Sequence, residues 1–109
     1  MLDSQCKEVV RKNINMTVPW YLMSAYAYYH QDDPILTDET FDMLGRMMIK
    51  EWDKIKHRHK EIITEGDLKA GTCLIKIEEY PRLVIGALGD VRGEATKLQE
   101  KMNEIRNRH

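Results

Sequence analysis

The sequence predicts an all-α fold, and three observations carry that expectation. Apolar residues recur at helical steps of three and four; Thr, Asp and Pro stand where such stretches begin; Gly and an Asp-Pro pair stand where they stop. In 109 residues, 32 % charged and 42 % hydrophobic, there is material for one core and too little for two, so a single domain over 1–109 is expected.

A first short helix is expected from Asp3 or Ser4, either of which can cap it, through Val9 and Val10 to about Asn15, with Asn13 and Asn15 weakening its end. Thr17-Val18-Pro19 opens the second, since Thr can cap and Pro is tolerated in a first turn. Trp20, Met23, Ala27 and His30 follow at helical steps beside Leu22, Tyr26 and Tyr29, so that more than half of the circumference is apolar. Gln31-Asp32-Asp33-Pro34 ends it, because the residue before Pro avoids the helical region. Thr37 then caps a third helix with Asp38 and Glu39 in its first turn, where the helix dipole favours carboxylates. Phe41, Leu44, Met48, Trp52 and Ile55 form its core stripe, and the positive run His57-Arg58-His59-Lys60 suits its end. Helices two and three therefore make an antiparallel hairpin over 18–57.

Thr64-Glu65-Gly66-Asp67 can cap a brief helical turn stopped by Gly71, while Cys73 to Ile77 reads equally as an extended segment or a buried connection. From Pro81 onward Val84, Leu88, Val91, Ala95, Leu98, Met102 and Ile105 form the seam of a long C-terminal helix over 81–107. Its partner is either the protein's own core or a second copy; a domain this small needs the helix for itself, which favours packing within the chain, and monomer or homodimer stays open. Gly86, Gly89 and Gly93 lie on the opposite face, and each costs about 1 kcal/mol relative to Ala inside a helix. Either the helix breaks between Gly89 and Gly93 with Asp90 as a new cap, the favoured reading, or another backbone or ligand approaches closely.

Chemistry concentrates where the hairpin turns. Asp38 and Asp42 share a helix face with Phe41, and the end of the preceding helix, with Tyr29 and His30, folds back beside them. Aromatic faces, an imidazole and two carboxylates suit a cationic or hydroxyl-rich planar ring. The bland account is packing for the tyrosines and helix-start stabilisation for the acids.

The run Tyr28-Tyr29-His30, the Asp33-Pro34 turn and Asp38-x-x-Phe41-Asp42-x-Leu44 together resemble the N-terminal Ia domain of NAD-dependent bacterial DNA ligases. That family's signature is an aromatic pair, a D-x-P-type turn and D-x-x-Y-D-x-L. The resemblance covers about 18–55 and implies a helical hairpin that captures the nicotinamide mononucleotide half of NAD. Carried over by position, it implies that Tyr29, His30, Asp38, Phe41 and Asp42 bind the ligand. Phe41 stands where the family has Tyr, the turn is about one residue shorter, and the K-x-D-G nucleotidyltransferase motif is missing; Lys69-Ala70-Gly71 is not one. The expectation is accordingly a non-catalytic module with no cofactor beyond weak binding of nicotinamide mononucleotide or NAD. A stand-alone hairpin of this kind resembles bacteriophage accessory proteins, which implies a host or phage protein as partner. The rival function is an interaction protein that inhibits or redirects a host enzyme, anti-defence roles included, with the hairpin as scaffold only.

Other classes fit less well. A formal net charge of -1 gives no global field toward nucleic acid or anionic lipid. Arg46, Lys50, Lys54, Lys56, Arg58 and Lys60 form a basic stretch, but Glu51 and Asp53 interrupt it, so a solvated helix face is expected and DNA binding would be local at most. On a helix His57 and His59 would point about 200° apart, which disfavours a metal site with His30 or His109. Asp32, Asp33, Asp38 and Asp42 match no EF-hand spacing and read as a solvated acidic turn. Val18 to Tyr29 is too short to span a bilayer, the first residues lack a leader pattern, and Cys6 and Cys73 read as reduced thiols, so a cytoplasmic protein, in the host cell if phage-encoded, is expected.

Overall fold

Thr17–Tyr29, the helix labelled α2 below, is buried on nearly every face, which is why its sequence is apolar almost all round. The computed structural model describes residues 1–71, 73 and 75–93, and the chain is all-α, with no strand among the described residues. The five helices among the described residues are α1 (Asp3–Lys12), α2 (Thr17–Tyr29), α3 (Asp38–Lys50), α4 (Glu65–Ala70) and α5 (Arg82–Val91). Short 3-10 turns at Ile14–Met16, Trp52–Lys54, Lys60–Ile62 and Ile77–Glu79 complete the order. Both α3 and α5 pack on α2, and α4 packs on α3. Val18, Leu22, Leu44, Met48, Ile55, Val84 and Leu88 meet in the core with Cys6 and Val10 of α1. Each large apolar side chain fully buried there stabilises the fold by about 1.5–3 kcal/mol before entropy is counted.

The expected caps form at two helices. Thr37 Oγ1 accepts the Thr40 N–H at 3.4 Å, and Thr64 Oγ1 accepts the Asp67 N–H at 3.1 Å. Gly71 stops α4 in the left-handed region, φ 71°, where a side chain would be strained. The first two helices start differently from expectation. Asp3 lies inside α1, and its carboxylate accepts the Thr37 N–H at 2.9 Å, tying α1 to the start of α3. Burial opposes ionisation of Asp3, but the hydrogen bonds from Thr37 and Thr40 and the nearby Lys7 outweigh it and hold its pKa below the ordinary value. Thr17 likewise is the first residue of α2 rather than its cap; its hydroxyl donates to the Ile14 carbonyl at 2.7 Å.

Two elements are shorter than the sequence suggests. α1 ends at Lys12, because Asn13 turns extended and its side chain accepts the Asn15 N–H at 3.1 Å. α3 ends at Lys50, not near His57 to Lys60, and a 3-10 turn carries the stripe onward so that Ile55 is still fully buried. The reason is tertiary. Lys60 Nζ donates to the Trp52 carbonyl at 2.6 Å and stands 4.6 Å from the centre of the Trp52 ring, while the Lys56 N–H donates to Asn15 Oδ1 at 2.7 Å. These contacts satisfy groups that a further helical turn would otherwise have to satisfy. The basic run therefore sits in a loop, not at a helix end.

The C-terminal seam holds where it is described: Val84 and Leu88 are buried and Val91 is half-buried. α5 ends at Val91, and Gly93 takes a left-handed conformation, φ 77°. The helix thus stops between Gly89 and Gly93, with Asp90 inside its last turn and not a cap. A Cβ at Gly86 would meet nothing within 4 Å, so no backbone approaches that position among the described residues. Ala95, Leu98, Met102 and Ile105, and with them the proposed extension to 107, lie outside the described residues. No described helix is long and apolar enough to cross a membrane.

Candidate functional site

A cleft of about 270 Å³ opens where α2, the turn after it, α3 and the end of α4 meet. Its inner wall is a ring pair: Tyr21 of α2 stacks on Phe41 of α3, with centroids 5.0 Å apart and planes 16° from parallel. Such a pair contributes about 0.5–1.5 kcal/mol beyond its buried area and fixes a flat surface in the cleft. Ser24, Leu36, Ile49 and Leu68 line the interior, and Gly71 closes the far side. The Ser24 hydroxyl already donates to the Trp20 carbonyl at 2.6 Å.

The rim is polar and aromatic. Tyr28 and Tyr29 stand edge to face, centroids 4.9 Å apart, and each remains about half exposed, at 48 % and 49 %. Across from them lie Asp38 and Asp42 of α3. Arg46, one turn further on, bonds the Asp42 carboxylate at 2.7 Å. Asp38 has no ion-pair partner among the described residues, so it is the carboxylate free to accept a hydrogen from a ligand. Burial, then the Cys73 thiol, keep the Tyr21 phenol well above the ordinary tyrosine range, and the same two causes followed by Tyr28 raise Tyr29. Both hydroxyls are therefore neutral donors and acceptors at physiological pH.

Four of the five residues singled out from the sequence, Tyr29, Asp38, Phe41 and Asp42, line this one cleft. His30 does not. One residue further round α2 rotates a side chain by about 100°, and the imidazole joins Tyr26 and Tyr80, at 5.6 and 5.2 Å between centroids, instead of α3. Its Nε2 lies 3.3 Å from the Ile75 carbonyl, so His30 pins the connection before α5. Tyr26 and Tyr80 complete this aromatic triad at 5.1 Å, and Cys73 Sγ lies 3.8 Å from the Tyr80 hydroxyl.

Among the lining residues that sequence reasoning missed are Tyr21, Ser24, Gly45, Arg46, Leu68 and Gly71. Arg46 was recoverable, because it follows Asp42 by four in a helix. Leu68 and Gly71 carry no local signal for this role. Gly45 has one: it sits inside α3, where glycine is disfavoured, and an added Cβ would meet nothing within 4 Å. The fold does not need that glycine for packing, and its missing side chain leaves room in the cleft.

The remaining charged groups sort themselves by contact. Asp33 is not merely part of a solvated acidic turn: Arg92 from the end of α5 donates to its carboxylate at 3.0 Å and to its carbonyl, although the Arg92 side chain is only 15 % exposed. That clamp holds the turn next to Pro34, a wall of the cleft. His57 and His59 do not diverge on a helix; in their loop the rings are 5.3 Å apart, and the His59 N–H donates to His57 Nδ1 at 3.1 Å. No cluster of three potential metal-ligating side chains occurs among the described residues. Of the basic stretch, Arg46 pairs with Asp42, Lys54 with Glu51 at 3.2 Å, and Lys60 with Trp52, which leaves no continuous cationic strip.

Comparison with protein-family models, with curated proteins and with solved structures returns no match.

Proposed function

We propose that the chain is a non-catalytic binding module whose cleft takes a planar ring bearing positive charge or hydroxyls, with the nicotinamide mononucleotide group as the first candidate. The observation that carries this is the convergence of Tyr28, Tyr29, Asp38, Phe41 and Asp42 on one small cleft with a stacked aromatic wall. The aromatic faces attract a cationic ring, and Asp38 accepts N–H or O–H hydrogens. Arg46 beside Asp42 suits a phosphate linked to that ring. The likeness to the ligase Ia hairpin supports the same choice, without His30.

Affinity is modest, because no described residue covers the outer face of a ring seated against half-exposed tyrosines. A dissociation constant on the order of 1 mM, roughly 4 kcal/mol, is the expected scale. Calorimetric titration with nicotinamide mononucleotide and NAD tests the reading. Saturable heat lost in Asp38→Asn supports it, and a flat titration with both ligands removes it.

The exposure of Tyr28 and Tyr29 favours a second reading, in which the cleft receives a cationic side chain of a protein partner, host or phage, as a docking hot spot. Pull-down from the native cytosol separates the two. A partner retained by Asp38→Asn and Asp42→Asn but lost on changing α5 uses the hairpin only as scaffold, which is the host-enzyme inhibitor or redirector of the sequence reading.

A further inference from the structure

A second concavity, of about 530 Å³, lies between α1 and α3 and shares no residue with the cleft. α3 serves both because its faces diverge: Met43 and Met47 project about 200° of helix rotation from Gly45, which lines the cleft. Val10, Ile14, Met43 and Met47 give the groove an apolar lining. All but Val10 are only half-buried, so this surface is not consumed by the core. Methionine side chains, flexible and polarisable, adapt to varied apolar partners.

The rim is cationic. Lys7 and Arg11 rise one helical turn apart on α1, and Lys50 faces them from α3. None of the three has an ion-pair partner among the described residues. The one carboxylate in the lining, Glu51, is already bonded to Lys54 at 3.2 Å. An otherwise nearly neutral chain thus gathers three positive charges outside close ion pairs around one apolar trough, with Asp3 near Lys7 on the α1 side.

We propose that this groove seats an amphipathic helix of a partner protein, with its apolar stripe against Met43, Met47 and Ile14 and acidic residues on both flanks toward Lys7, Arg11 and Lys50. Two helices forming the walls of an apolar trough present the ridges between which a third helix packs. The rim selects its charge, since like charges placed opposite one another are strongly disfavoured.

Selection from a displayed library of random peptides roughly 15 residues long, about four helical turns, tests the proposal. The expected winners carry apolar residues at helical spacing flanked by Asp and Glu. Their binding falls at least about tenfold in Lys7→Glu/Arg11→Glu, in Met47→Asp, and on raising salt. Lys7 and Arg11 are exposed, so their variant keeps its fold, which circular dichroism verifies. Winners that are basic or patternless, winners that bind the variants equally, or no enrichment at all would overturn it. So would concentration-dependent dimerisation that Met47→Asp abolishes, which assigns the groove to a second copy. Binding to anionic vesicles lost in Lys7→Glu/Arg11→Glu would assign it instead to a lipid surface.

Discussion

Gly45 offers a perturbation whose two effects have opposite signs. Inside a helix, glycine costs about 0.5–1 kcal/mol relative to alanine, and the Cβ of Gly45→Ala would meet no atom within 4 Å. With no steric penalty to offset the gain, Gly45→Ala should stabilise the protein by that amount and raise the melting temperature by about 4 °C. Gly45→Leu extends the same side chain into a space of about 270 Å³ and takes up part of the room beside Phe41 and Asp42. That variant should fold at least as well as wild type, yet lose tenfold or more in affinity for nicotinamide mononucleotide. Denaturant melts and calorimetry on the three proteins provide the readout. A destabilised Gly45→Ala refutes the inference that the position faces open space. A Gly45→Leu that binds as well as wild type refutes the placement of the ligand.

Three further outcomes follow from the packing and the titrating groups. Leu44, fully buried between the packed helices, should cost about 2–5 kcal/mol on truncation to Ala, a large share of a typical domain's stability measured by denaturant melts. Burial, then His59 and Arg58, lower the His57 pKa below its ordinary 6.5, so the native state favours the neutral ring. Its contribution is present above 6.5 and is lost as pH falls toward the lowered native value; melts across that window should lose this acid sensitivity in His57→Gln, and an unchanged profile contradicts it. Arg92→Ala should cost about 1 kcal/mol and loosen the Asp33-Pro34 wall, seen as faster amide exchange at Asp33.

The sequence reveals what is local. Thr37 and Thr64 as caps, Gly71 as a stop and Leu44 and Met48 as core positions follow from spacing and side-chain chemistry over a few residues. The shared cleft of Tyr29, Asp38, Phe41 and Asp42 follows too, because two helices joined by a short turn place their adjoining ends together. What stays hidden is decided across long separations. α3 stops early where Asn15 reaches the chain after it across 41 positions, helped by Lys60 from eight positions on, and neither contact leaves a trace in the local pattern. His30 faces away from the cleft because Ile75 and Tyr80 meet it there, and the alternation of Cys73 to Ile77, which leads into that contact, fitted two conformations. Arg92 meets Asp33 across 59 positions, and no spacing rule links them.

The central claim is that one ring-sized ligand lies against Phe41 between the two tyrosines and the carboxylates. Heteronuclear NMR during titration with nicotinamide mononucleotide addresses it residue by residue. Saturable shifts should appear at Tyr28, Tyr29, Phe41, Gly45 and Gly71 and leave His30 and Tyr80 unmoved. Absence of any saturable shift, or shifts centred on His30 and Tyr80, contradicts the assignment.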